Sequence, residues 1–156
     1  KSIVSYLPDR NFLYDWMKVQ DAVDFFKDFY NDFDENRAYK LLDFMKLDRN
    51  LKVNTLSKGM KEKLNLTLVL SRNAKVYILD EPIAGVDPVA RDQILDAIIN
   101  NYNEESTMLI TTHLVRDMEN IFDDVVFLKN GEIVLEGSGK ELLGDDRVRK
   151  AYLGEE

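Results

Sequence analysis

Apolar positions change period several times along this chain, and each period predicts an element. Ile3–Leu7 reads as a short strand, broken into a loop by Pro8, Asp9, Arg10 and Asn11. Val19, Ala22, Val23, Phe26, Phe29 and Tyr30 recur at helical spacing and predict a helix over about residues 18–31. Ala38, Leu41, Leu42 and Met45 repeat the pattern, with Asp34 placed to cap a second helix. A third helix is expected from Lys58 to Ser71, with Ser57 at its N-cap. Val76–Leu79 is a continuous apolar run ending in Asp80-Glu81-Pro82, which suits a strand buried on both faces. Asp87 and Pro88 open a helix through Asn100, with Val89, Ile94, Leu95, Ile98 and Ile99 expected inward. Met108–Thr111 is another apolar strand, and Leu114–Ile121 is expected to be helical. Val125–Leu128 and Ile133–Leu135 flank Asn130-Gly131, the pair a type I′ hairpin prefers. Short helices are expected near Lys140–Leu143 and toward the C-terminus. Strands alternating with helices predict an α/β fold with a mainly parallel sheet and a late hairpin.

Composition narrows the chemistry. The 156 residues contain no Cys and one His, which removes disulfide scaffolds, thiol nucleophiles and multi-histidine zinc sites. The net charge of −8 argues against a nucleic-acid binder, and no apolar run approaches the roughly 20 residues of a membrane span. Eleven of the 16 aromatic residues lie between Tyr6 and Phe44. That imbalance predicts two regions with a seam near Leu47–Thr55, where Asp48-Arg49-Asn50 reads as a polar turn. Phe25, Phe26 and Phe29 are expected in the core of the first region. The chain opens on Lys1-Ser2-Ile3-Val4, as if in mid-strand, and is expected to belong to something longer.

Ligands of parallel sheets bind beyond the carboxyl ends of the strands, so the residues just after each strand carry the candidate chemistry. Asp80 and Glu81 are adjacent carboxylates at such an end: either the start of a solvated turn closed by Pro82, or a site for a divalent cation and an activated water. His113 follows two threonines at the same edge, either as a structural hydrogen-bonder or as a catalytic imidazole. In Leu56-Ser57-Lys58-Gly59-Met60, Ser57 can be an ordinary cap, or the helix start can attract an anion, helped by Lys58 and by close approach at Gly59. Gly137-Ser138-Gly139-Lys140 looks like half a phosphate loop. However, Val134 and Glu141 break the pattern G-x-x-x-x-G-K-[ST], which occurs nowhere in these 156 residues.

Taken in order, these segments resemble the ATPase subunit of an ABC (ATP-binding cassette) transporter. Leu56-Ser57-Lys58-Gly59-Met60 is similar to the signature motif L-S-G-G-Q. Val76–Pro82 is similar to Walker B with the catalytic glutamate, Ala84-Gly85-Val86-Asp87-Pro88 to the D-loop, and Thr111-Thr112-His113 to the H-loop. Three departures stand out. Lys58 and Met60 replace a glycine and a glutamine of the signature, Asp9 stands where the Q-loop glutamine is expected, and the Walker A loop would lie upstream of Lys1.

The resemblance implies a P-loop NTPase-like α/β fold, truncated at its N-terminus, with an inserted α-helical subdomain. Residues 1–10 would be the strand and Q-loop, 11–55 the helical subdomain, and 56–156 the remainder of the ATPase core. ATP and Mg²⁺ are the implied cofactors. Asp80 would hold magnesium, directly or through water, with Asp9 assisting through water. Glu81 would be the general base and His113 would contact the γ-phosphate. Ser57, Lys58 and Gly59 would hold the γ-phosphate of ATP bound to the opposite subunit, and Asp87 would couple the two sites. The implied partners are a second ATP-binding subunit and a transmembrane permease subunit, the latter at a groove near Phe12, Leu13, Tyr14, Trp16 and Met17. Its implied location is the cytoplasmic face of a membrane, held there peripherally through the permease, with no nucleic acid partner. The alternatives are a non-enzymatic helper that lends its signature motif to an intact partner, and a soluble non-transport ABC ATPase.

Overall fold

The computed structural model describes residues 3–115, 118, 121–146, 148 and 150. The helices expected over Leu114–Ile121 and toward the C-terminus fall largely outside that set. The chain divides into two compact units, Lys1–His113 and Leu114–Glu156.

The first unit is built on a three-stranded parallel sheet in the order β1 (Val4–Leu7), β2 (Val76–Asp80), β3 (Thr107–Thr111). The register pairs Leu7 with Leu79 and Asp80 with Thr111, so the three carboxyl ends lie side by side. Between β1 and β2 run α1 (Val19–Phe29), α2 (Glu35–Phe44), a 3₁₀ turn (Val53–Thr55) and α3 (Lys58–Leu70); α4 (Pro88–Asn101) connects β2 to β3.

The predicted caps form. Asp34 accepts from Arg37 N, Ser57 from Met60 N and Asp87 from Ala90 N, each contact stabilising its helix start by about 1 kcal/mol. α1 begins differently: the Lys18 backbone N–H donates to Asp21 Oδ2 at 2.8 Å, an acid in the first turn.

α3 is the central helix. Every residue from Leu64 to Leu70 is buried, so the second half of the helix is enclosed on all sides, while its first half carries Lys58, Lys61, Glu62 and Lys63. It covers one face of the sheet, where Ser5 Oγ donates to the Val69 carbonyl at 2.9 Å. Ser5, Leu7, Tyr77 and Leu79 on that face are buried. The other face is only partly covered, with Tyr6 and Leu109 exposed. β2 was expected to be buried on both faces; instead Val76, Ile78 and Asp80 are half-buried, because helices pack on one side of it.

Three further expectations are corrected. Phe25 and Phe29 are exposed and stack on each other at 5.8 Å, whereas Phe26 is buried. The buried stripe of α1 centres on Val19, Ala22, Val23 and Phe26, and Phe25 and Phe29 fall on its flank. On α4 the buried face is Ala90, Ile94, Ala97 and Ile98, leaving Val89 and Ile99 exposed and Leu95 half-buried. Leu13 and Met17, expected in a docking groove, belong to the core cluster around Val19, Leu42 and Leu64.

Arg72, just after α3, ties the helical region to the sheet. Its guanidinium forms a two-pronged pair with Asp32 at 3.0 and 2.9 Å, donates to the Val4 carbonyl and lies over the Tyr30 ring. In the second unit, β4 (Asp124–Lys129) and β5 (Glu132–Ser138) form an antiparallel hairpin. Its turn residues Asn130 and Gly131 have φ of 53° and 81°, as a type I′ turn requires. Ser138 caps α5 (Gly139–Leu143), so the Gly137–Lys140 segment is a turn into a short helix, as its sequence indicates.

Candidate functional site

The carboxyl ends of β2 and β3 gather one cluster. Asp80 is the last residue of β2, and Thr111, its register partner on β3, donates its hydroxyl to Asp80 Oδ1. Glu81 follows in a left-handed backbone conformation, φ 50°, uncommon for a residue with a long side chain. Its N–H donates to the Thr111 carbonyl at 2.9 Å and its carbonyl accepts from Ala84 N at 3.1 Å, so bonds on both sides hold that turn. This aims the carboxylate at His113: Oε1 lies 2.7 Å from Nδ1 and accepts from the His113 backbone N–H at 3.1 Å. The other oxygen, Oε2, is buried without a hydrogen-bond partner. An orphaned carboxylate oxygen is costly unless water or a cation meets it.

Ser57, Lys58, Gly59 and Asp87 form a second cluster, where the starts of α3 and α4 meet. Ser57 and Lys58 are exposed, while Gly59 is buried. A Cβ on Gly59 would lie 3.1 Å from Ala90 Cβ and 3.2 Å from Asp87 Oδ2, so its bare backbone is what lets the two helix starts approach. Asp9 is exposed in the bend after β1. Its charge reaches Glu62 on α3: burial pushes the Glu62 carboxyl above its ordinary value, Lys58 opposes the rise and Asp9 adds to it. Thr111 and Gly85 gained their roles only from the fold, Thr111 through strand register and Gly85 through the turn that joins β2 to α4.

No group of three or more metal-ligating side chains is gathered among the described residues. Magnesium bound with a nucleotide needs only one or two carboxylates, because phosphates and waters supply the remaining oxygens. Asp80 fits that pattern as a hard oxygen donor at the strand end, which leaves Glu81 Oε2, buried with no hydrogen-bond partner, free for a different task.

The five residues expected to line a groove separate. Leu13 and Met17 are core, and Tyr14 and Trp16 are exposed and stack at 6.1 Å. Phe12 joins Tyr6, Phe26, Phe29, Tyr30 and Arg72 around an open cavity of about 530 Å³.

Residues 5–115 match a family model described as "AAA domain, putative AbiEii toxin, Type IV TA system". Among curated proteins, the chain is 30% identical to the ABC transporter ATP-binding protein YtrB of Bacillus subtilis, over 98% of this chain and 51% of that protein. It is 28% identical to an uncharacterized ABC transporter ATP-binding protein of Synechocystis sp., over 100% of this chain and 47% of the relative. Among solved structures, an ATP-binding subunit of an ABC transporter matches with a TM-score of 0.79 at 26% identity, over 97% of this chain and 65% of that one. The chain thus spans about half the length of these curated relatives. It belongs to this AAA-domain family and has a P-loop NTPase fold, and the curated relatives and solved structures it resembles are ATP-binding proteins of ABC transporters.

Proposed function

We propose that this chain carries the hydrolytic edge and the signature face of an ABC ATPase that acts on MgATP and drives transport through a separate membrane permease. The observation that carries this reading is Glu81: one carboxylate oxygen is held by His113 and the other is buried with no partner. A general base needs such a fixed orientation and an oxygen free to take a proton. Glu81 polarises the attacking water, and His113 holds Glu81 and reaches toward the γ-phosphate. Asp80, steadied by Thr111, holds magnesium together with Asp9 acting through water. Magnesium, when bound, neutralises phosphate charge.

Ser57, Lys58 and Gly59 offer the start of α3 to the γ-phosphate of an ATP gripped by a second nucleotide-binding subunit. The exposed N–H groups of a helix start favour an anion, and Lys58 adds charge. Asp87, which caps the neighbouring helix beside Gly59, links the two sites. A structural neighbour alike in fold, with a TM-score of 0.72, is described as a dimeric post-hydrolysis cassette bound to ADP and Pi. Coupling to a permease is supported by relatives named for transport, such as the lipopolysaccharide export ATP-binding protein of Haemophilus influenzae. No described helix is long and apolar enough to cross a membrane. In this reading the chain sits at the cytoplasmic face, held through the permease.

The test is magnesium-dependent ATP hydrolysis by the complete protein and by this chain alone. The complete protein turns over ATP. The 156-residue chain binds ATP weakly and hydrolyses none, because it contains no G-x-x-x-x-G-K-[ST] segment. Turnover by the chain alone contradicts this reading. A complete protein without turnover favours instead the helper that lends its signature face to an intact partner.

A further inference from the structure

Lys58 is an unfavourable residue for its position. It opens α3, where the helix already presents partial positive charge, and no acid stands in the first turn to offset it. Its side chain shows a compensating contact. The end of the side chain lies over the bare backbone of Gly85, which has φ 67°. A Cβ at that glycine would collide with Lys58 Nζ and come within 3.4 Å of Cε and 3.8 Å of Cδ. Glu62, one helical turn further on and on the same face, carries a charge that acts on Lys58. The same turn leads into Asp87, whose Oδ1 caps α4 and whose Oδ2 borders Gly59. The start of α3 and the Ala84–Asp87 turn therefore meet at two places: Gly59 packs on Asp87 and Ala90, and Lys58 lies across Gly85.

We propose that Lys58 is a positioning residue: laid across Gly85 and held there by Glu62, it clamps the Ala84–Asp87 turn to the start of α3, so that the two segments move as one body. The consequence for nucleotide rests on the functional reading above: a phosphate at the α3 start draws the ammonium off Gly85 and releases the turn that leads to Asp87. The clamp is a property of the chain without nucleotide and is tested without it.

The experiment is residue-resolved amide hydrogen exchange of the complete protein without nucleotide, with Lys58→Met, Lys58→Arg and Glu62→Gln compared with the parent. Lys58→Met keeps the length of the stem and removes the charge; Lys58→Arg keeps the charge. Exchange at Gly85, Val86 and Asp87 is expected to rise roughly two- to five-fold in Lys58→Met and Glu62→Gln, the size of an exposed charge contact, and to stay near the parent rate in Lys58→Arg. Concentrated sodium chloride brings the parent toward the Lys58→Met rate, because the attraction is screened. Unchanged exchange at these amides in Lys58→Met overturns the proposal, as does acceleration spread equally over α2. ATP binding by the complete protein is measured separately, so a failure of the nucleotide reading leaves the exchange result standing, and the reverse.

Discussion

Glu81 and His113 meet at a single carboxylate oxygen. Oε1 of Glu81 lies 2.7 Å from Nδ1 of His113 and also accepts the His113 backbone N–H, so both ring and main chain fix the carboxylate. The left-handed backbone at Glu81 costs conformational energy, and such strain persists where its surroundings hold it in place. Here the Thr111 carbonyl, the Ala84 amide and His113 all do so. A residue that orients another alters rate more than affinity. His113→Ala in the complete protein is expected to lower kcat by about 10²-fold with little change in the KM for ATP, as seen in steady-state kinetics. A raised KM with kcat unchanged would show that His113 serves binding alone.

Glu62 makes the fold sensitive to pH. Its folded-state carboxyl titrates above its ordinary value because burial disfavours the charge. The folded state therefore holds a proton that the unfolded state has already lost, and stability falls as pH rises from the ordinary carboxylate range through the raised value. Below that range the penalty is absent. Urea unfolding of Glu62→Gln is expected to show greater stability than the parent at pH 7 and none of that gain under acid conditions. This global gain accompanies the local loosening at Gly85, since the two measurements read different contacts.

Arg72 is nearly fully buried, and its charge is answered mainly by Asp32. Removing the acid takes the carboxylate away from this buried cation. Asp32→Ala is expected to destabilise the first unit by about 3 kcal/mol in denaturant titrations. A loss near zero would mean that the Val4 carbonyl and the Tyr30 ring suffice to hold the guanidinium.

Gly139 opens α5 where the chain passes close to Phe122. A Cβ there would collide with the Phe122 carbonyl oxygen and lie 3.2 Å from its carbon. Gly139→Ala is expected to lower stability by about 1–3 kcal/mol, read by thermal or urea unfolding, because backbone cannot move aside as a side chain can.

Much of this was legible from local chemistry. Ser57, Asp34 and Asp87 cap the helices their positions announce, and Asn130-Gly131 makes its hairpin, because each acts over three or four residues. Asp80, Glu81 and His113 were legible for a topological reason: residues that end adjacent parallel strands must lie at one edge. What escaped depends on long-range packing. Periodicity puts Phe29 near the apolar stripe of α1, but the ring lies on its flank and stays exposed. Leu13 and Met17 lie in a segment with no period, so their inward course is set by the chain path between β1 and α1. The seat of Lys58 on Gly85 joins residues 27 positions apart, through a turn whose φ no pattern of apolar residues encodes.

The central claim is that Glu81 is the base of an ATP-hydrolysing site. The direct measurement is ATP turnover and oligomeric state of the complete protein carrying Glu81→Gln, which keeps size and a hydrogen-bonding oxygen but cannot take the proton. The account predicts that hydrolysis falls by at least about 10²-fold and that ATP with magnesium traps a stable dimer. Turnover at the parent's rate would contradict it.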